Sequence, residues 1–263
     1  MTHARAVVRF GPRPPDSAAI KALRKYIHGE LRRAGIDVEE QPFLAKTPSG
    51  DVPMVNVIGK IPGSSGKRIL LTGHYDTKQF PDFRFVGAND AGSSTALLLE
   101  LATVLAKEKH HDEIWIVFFD GEEAYHEWTA TDSLYGSRHL ANDLKQRGEI
   151  GKIKALINVD MIGDRDLNLA LEYNSDPVLR ETLVEVAASQ GHREIFDRFP
   201  SAIEDDHMPF AELGVPVLNL IDFSYGPGHA YWHTEADTID KLSASSLRIV
   251  GDLVLGMLGR LDR

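Results

Sequence analysis

The stretch RILLTGHYD (residues 68–76) decides the fold, and IWIVFFDGEE (114–123) and KALINVD (154–160) repeat its logic. Each is a short apolar run that ends abruptly in carboxylates or an imidazole. An uninterrupted apolar run of this length, bounded by polar residues, reads as a strand buried on both faces. Between the first two runs, residues 91–107 carry Leu97, Leu98, Leu99, Leu101, Val104 and Leu105 nearly all round a helical wheel. That pattern predicts a buried helix. Working outward, residues 16–35 predict an amphipathic helix on Ile20, Leu23, Ile27 and Leu31, stopped by Gly35. Residues 54–59 and 215–221 predict strands, residues 177–189 and 208–213 helices, and PGSSG (62–66) a turn between strands. A final helix begins after Ser243, a good N-cap, with Leu247, Val250, Val254, Met257, Leu258 and Leu261 at helical spacing. Buried strands alternating with helices imply an α/β fold with a mainly parallel sheet covered on both faces. No internal repeat or linker-like composition break interrupts residues 1–263, so a single domain is expected.

Composition narrows the function. The chain of 263 residues carries 29 Lys and Arg against 39 Asp and Glu, a net charge of −10 with His neutral. That balance argues against nucleic acid or an anionic membrane as the partner. No window approaches the ~18 uninterrupted apolar residues of a membrane-spanning helix. Zero Cys against 11 His excludes disulfides, thiolate metal sites and thiol nucleophiles. Any metal must be held by His and carboxylates, a donor set suited to zinc, with cobalt or manganese as substitutes. The start Met1-Thr2-His3-Ala4-Arg5 has no apolar signal-type segment, which fits a cytoplasmic protein or an exported one whose leader has been removed.

The polar residues at the strand ends carry the chemistry. The three runs deliver His74 and Asp76, then Asp120, Glu122 and Glu123, then Asp160, to one carboxyl edge, where open α/β sheets bind ligands. Asn89-Asp90 and Trp232-His233 are expected to join them from loops. Crowded carboxylates cost free energy unless a cation compensates them. Each residue also has a plainer reading. Asp90 alone suits a cap on the following helix, Glu122-Glu123 the first turn of another, His233 the surface and Asp160 a strand-end turn. The order of the residues speaks against all of these together.

That order, His74-x-Asp76, Asp90, Glu122-Glu123, Asp160, His233-Thr234, with Asp237-Thr238 following, resembles the zinc-dependent aminopeptidase-like exopeptidases. There the residues matching His74, Asp90, Glu123, Asp160 and His233 hold two metals, and the one matching Glu122 is the general base. Within that family the chain is similar to the animal-type glutaminyl cyclases. The similar stretches are Gly73-His74-Tyr75-Asp76, FVGA (85–88), FFDGEEA (118–124), Trp128, DSLYGSRHL (132–140), Glu204-Asp205-Asp206-His207 with Pro209-Phe210, and GVPVL (214–218). The similarity runs from about Arg13 to the last helix.

The resemblance implies a three-layer α/β sandwich with a mixed, mostly parallel central sheet. It implies one zinc per chain, on Asp90, Glu123 and His233, with the position at His74 and Asp160 left empty. Glu122 would be the general acid/base, beside a carboxylate hydrogen-bond network of Asp160 and Asp205. Trp128, Trp232 and Glu204 would bind the substrate, a peptide or protein with N-terminal glutamine that is closed to pyroglutamate. Export, to the periplasm or outside the cell, would be usual. A dizinc aminopeptidase and a catalytically silent binding domain are the alternatives. Two departures stand out. The positions of a disulfide in the animal enzymes are Gly73 and Thr95 here. The loop SYGPGHAY (224–231) replaces a Pro/Phe-rich segment, with Gly228 where a Phe is expected.

Overall fold

The structure, a computed structural model, describes residues 1–197 and 201–263. Among them the chain forms one six-stranded sheet in the order β1-β2-β4-β3-β5-β6. The strands are β1 (Asp37–Thr47), β2 (Gly50–Ile61), β3 (Arg68–His74), β4 (Glu113–Phe119), β5 (Ile153–Asp160) and β6 (Val217–Ile221). Strands β4, β3, β5 and β6 run parallel, and β1 and β2 add an antiparallel edge. The expected mixed, mostly parallel sheet is therefore present.

Helices cover both faces because the buried strands offer apolar side chains to both. On β4, Ile114, Ile116 and Phe118 join one core, while Trp115, Val117 and Phe119 join the other. This is the two-residue alternation of a pleated strand. The first face is packed by α1 (Thr2–Arg9), α2 (Ala18–Arg33), α3 (Gly92–Leu105), α5 (Pro177–Ser189) and α7 (Ala244–Leu261). The second is packed by α4 (Tyr135–Gln146) and the single turn α6 (Met208–Ala211). Ser17 Oγ caps α2 by accepting from Ile20 N at 3.1 Å. Ser243 Oγ caps α7 by accepting from Ser245 N at 3.1 Å, as its sequence position predicts. No described helix is long and apolar enough to cross a membrane.

Two expectations change. The strand read at 54–59 is the inner part of a long hairpin whose outer strand, β1, lies mostly exposed. Its polar alternation, with Glu39, Glu40 and Lys46 on the strand, hides it from an apolar search and suits a sheet edge. Helix α4 was also not anticipated.

Gly73, one of the two departures, has a steric reason. A Cβ at this position would lie 2.8 Å from the Val159 carbonyl oxygen of β5 and 3.2 Å from Ser94 Cβ. Strand β3 and helix α3 thus close up on a bare backbone. Gly73→Ala is expected to destabilise the fold by about 1–3 kcal/mol through overpacking. Urea unfolding should show a lower midpoint with an unchanged slope, and an unchanged midpoint would refute the argument.

Candidate active site

Four parallel strands end on one edge and place the site. His74 closes β3, and Asp160 closes β5. The chain leaving β4 runs through Asp120 to Glu122 and Glu123, and the chain leaving β6 runs through Asp222 to Phe223. The plain helix-turn reading of Glu122-Glu123 does not hold. No helix starts there, and both side chains are buried. Asp90 is no helix cap either. Ala91 occupies the N-cap position of α3, and no side chain caps it.

The Asp90 carboxylate instead divides between two histidines. Its Oδ2 lies 3.3 Å from His233 Nε2, and its Oδ1 lies 3.3 Å from His74 Nε2. Two triads result, Asp90–Glu123–His233 and His74–Asp90–Asp160, each with its donor atoms within 4.8 Å of one another. His233 Nε2 is 3.2 Å from Glu123 Oε1, and His74 Nε2 is 3.2 Å from Asp160 Oδ1. Buried oxygen and imidazole donors converging this closely fit a divalent cation. Either triad has the donor set to hold one.

Polar side chains beneath the site fix these donors. Asp76 Oδ1 accepts from Glu122 N at 3.1 Å, and its Oδ2 accepts from Glu123 N at 3.3 Å. The Asp90 loop is held from two sides. Asp237 accepts from Asn89 N at 2.8 Å and from Asp90 N at 3.2 Å. The fully buried Arg13 donates to the carbonyls of Val86 at 2.7 Å and Gly87 at 3.1 Å. Burial lowers its pKa to about 10, against the raising effect of Asp237, Asp76 and Asp90. Asp132 accepts from the amides of Tyr125, His126 and Glu127 and so sets the loop that carries Trp128.

A cavity of about 440 Å³ opens over the first triad. Its lining includes all nine residues expected for catalysis, substrate and the single metal: Asp90, Glu122, Glu123, Trp128, Asp160, Glu204, Asp205, Trp232 and His233. His74 sits behind them, almost fully buried. Trp128, 39% exposed, donates its indole N–H to Glu204 Oε2 at 3.1 Å. Trp232 stacks on His233 with ring centroids 4.1 Å apart. The expected hydrogen-bond network of Asp160 and Asp205 beside Glu122 is not formed among the described residues. Asp205 instead acts on both Glu122 and Asp160 through charge. The hydrogen bonds that place the two aspartates run elsewhere, Asp160 to His74 and Asp205 Oδ2 from Asn219 Nδ2 at 3.0 Å.

Burial dominates the electrostatics. It pushes Glu122 well above the usual carboxylate range, helped by Glu123, Asp205 and Asp206 and opposed by His74. Burial likewise brings Asp160 up to about 7, with Asp205 and Asp90 adding and His74 opposing. His233 is lowered by burial, but Glu123 and Asp90 outweigh this and bring it up to about 10. Asp90 is raised by burial, yet His233 and His74 hold it below the ordinary range. Glu122 and Asp160 are therefore both held more readily protonated than ordinary carboxyls, beside a triad able to hold a cation.

Residues 56–258 match the model of peptidase family M28. The chain belongs to that family. A glutaminyl-peptide cyclotransferase of Drosophila melanogaster is 31% identical over 91% of this chain and 75% of its own. An Acidobacteriales bacterium glutaminyl cyclase is 42% identical, with a TM-score of 0.95 over 99% of this chain and 92% of that one. A leucine aminopeptidase precursor from Bacteroides thetaiotaomicron is 26% identical, with a TM-score of 0.88 over 97% and 94%. The M28 chain described here is thus an enzyme whose relatives include glutaminyl-peptide cyclotransferases of animals and bacteria.

Several positions that shape the site carry no signal in the sequence motifs. Arg13 and Lys78 gave no motif. Lys78 Nζ donates to the Ala124 carbonyl at 2.7 Å and lies 3.9 Å from Glu123 Oε2. Phe223 lines the cavity 5.2 Å from Trp232, 39% exposed, and supplies an aromatic wall where Gly228 does not. A bulky aromatic just past a buried strand end was the available signal.

Proposed function

We propose that this enzyme is a zinc glutaminyl-peptide cyclotransferase, closing the N-terminal glutamine of peptides or proteins to pyroglutamate with release of ammonia. The observation that carries the proposal is Glu122, a buried, readily protonated carboxyl between the Asp90–Glu123–His233 triad and an aromatic-walled cavity. A zinc ion on that triad would supply Lewis-acid polarisation of the substrate's γ-carbonyl. Glu122 accepts a proton from the α-amine as that nitrogen bonds to Cδ, the carbonyl carbon of the side-chain amide. It returns the proton to the departing amide nitrogen, which leaves as ammonia. One carboxyl doing both is general acid–base catalysis. Trp128, Trp232 and Phe223 hold the glutamine folded on itself, which supplies proximity. Asp205, together with Glu123 and Asp206, keeps Glu122 protonable by charge, and Asp205 and Asp90 do the same for Asp160.

One zinc per chain is proposed because all three donors of the first triad line the cavity, whereas the second triad includes His74, which lies behind it. Burial lowers the pKa of His74, yet Glu122, Asp160, Asp76 and Asp90 outweigh this and raise it well above the ordinary value. The second triad favours one competing reading, a dizinc aminopeptidase. Incubation with a glutaminyl peptide separates the two. Cyclisation gives a product lighter by one ammonia, whereas hydrolysis gives free glutamine. Metal analysis of the same sample should give one zinc, and two tightly held zinc ions would overturn that part of the proposal.

Phe223→Ala is expected to raise KM for short glutaminyl peptides several-fold with kcat little changed, the signature of lost uniform binding. An unchanged KM would remove Phe223 from the binding wall.

A further inference from the structure

Residues 202–205 form one wall of the cavity without belonging to a helix or a strand. Glu204 and Asp205 nevertheless have to hold fixed positions, Glu204 against Trp128 and Asp205 near Glu122. Glu172, 1% exposed, lies beneath this wall. Its Oε1 accepts from Asn174 N at 2.7 Å and from Ile203 N at 3.1 Å. Its Oε2 accepts from Ser175 Oγ at 3.0 Å and faces His207 Nε2 at 3.4 Å. His207 is itself fully buried. Glu172 therefore holds the chain at the Ile203 amide just before Glu204 and Asp205, and its Oε2 lies against the His207 ring just after them. Around this grip, Tyr173 N donates to the Ser201 carbonyl at 2.8 Å, and Asn174 Nδ2 donates to the Ile203 carbonyl at 3.0 Å. Ser175 Oγ also accepts from Asn219 N at 2.9 Å, and Asn219 is the residue that donates to Asp205.

We infer that Glu172, paired with His207, is a positioning residue that fixes Glu204 and Asp205 for the cyclase reaction without touching the substrate. The pairing is costly to bury and useless as surface charge. An ionised carboxylate is retained in such a place when several donors converge on it. Ordinary packing could fill the same volume with an apolar side chain, but it could not hold the Ile203 amide and the His207 ring in one register.

The inference rests on the cyclase reading, and its test separates the two. Wild type, Glu172→Ala, Glu172→Gln and His207→Gln are compared at full metal content with a glutaminyl peptide. Glu172→Ala is expected to lower kcat roughly 10- to 100-fold, the scale of a small displacement of catalytic groups. Glu172→Gln, which keeps an acceptor for the Ile203 amide, should recover part of the loss. In an Asp205→Asn background the Glu172→Ala substitution should cost little more, because the two act through the same group. Independent, multiplying losses would overturn the inference, as would an unchanged kcat. If Glu172→Ala does not fold, Glu172→Gln and His207→Gln carry the same cycle. A second readout needs no turnover. The emission of Trp128, isolated by difference against Trp128→Phe, should shift to longer wavelength and become more accessible to acrylamide when the grip is lost. Unaltered emission and quenching would overturn the inference. Should wild type release free glutamine instead of cyclising it, the cyclase reading falls, and the Trp128 readout alone decides what Glu172 does.

Discussion

Glu122→Gln is expected to lower turnover of glutaminyl peptides by ~10²–10⁴-fold, the usual contribution of a positioned acid–base group. The amide keeps the shape of the side chain but cannot shuttle a proton. Its backbone position is set by Asp76, which accepts from the Glu122 amide at 3.1 Å and is untouched by the substitution. Metal content should therefore stay at the wild-type level. Stability should hold or rise, because a buried group beside Glu123, Asp205 and Asp206 no longer has to be charged or protonated. Rate and KM for a short glutaminyl peptide, metal analysis and thermal melting form the measurement. Near-normal kcat in a metal-replete variant would sink the assignment. A loss of metal together with activity would show instead that Glu122 serves the triad.

His233→Ala should be as damaging by a different route. His233 gives the first triad its only nitrogen, and its Nε2 lies within 3.3 Å of both Asp90 and Glu123. Its removal should strip the tightly bound metal and lower activity on the order of 10³-fold. Chelation of wild type should do the same, and added zinc should restore wild type but not the variant. Acid stability in the chelated state gives a separate check. Asp90 is held below the ordinary range by His233 and His74, against the opposing effect of burial. A carboxylate whose folded pKa is depressed adds stability above its unfolded pKa of about 3.9, and this is lost as pH falls through the folded value. Without His233 the depression shrinks, so chelated His233→Ala should unfold at higher pH than chelated wild type. Coincident acid transitions would refute the account of Asp90.

What could be read from the chain follows from where the information lies. The strands β3, β4 and β5 announce themselves because burial on both faces demands unbroken apolar runs. The polar residues at their ends then fall on one edge by geometry alone, so His74, Glu122, Glu123 and Asp160 are placed together before any coordinates exist. Asp90 and His233 come from loops, and only their order in the chain links them to that edge. The supporting groups are harder. Arg13 matters because its guanidinium meets the backbone carbonyls of residues 86 and 87, and carbonyls leave no mark in a sequence. Glu172 looks like any surface acid until the fold buries it. Strand β1 pairs along its whole length with β2 yet exposes most of its side chains, so hydrogen bonding rather than burial defines it. Helix α4 buries only a narrow face, Leu140, Ala141 and Leu144 behind its first turn, too few apolar positions to stand out.

The close approach of β5 to Gly73 also bears on how this enzyme could be engineered or could have diverged. A designer comparing it with the animal enzymes would be tempted to copy their covalent bridge onto positions 73 and 95. The Val159 carbonyl occupies the space the first sulfur-bearing side chain needs. The graft would wedge two central strands apart beside the Asp90 loop before any bond could form. The bridge and the tight strand contact are alternative ways of tying the same corner, and exchanging one for the other takes concerted changes on β3, α3 and β5. Bridges meant to harden this enzyme belong elsewhere, and the edge hairpin, whose outer strand β1 is mostly exposed, is the place to begin.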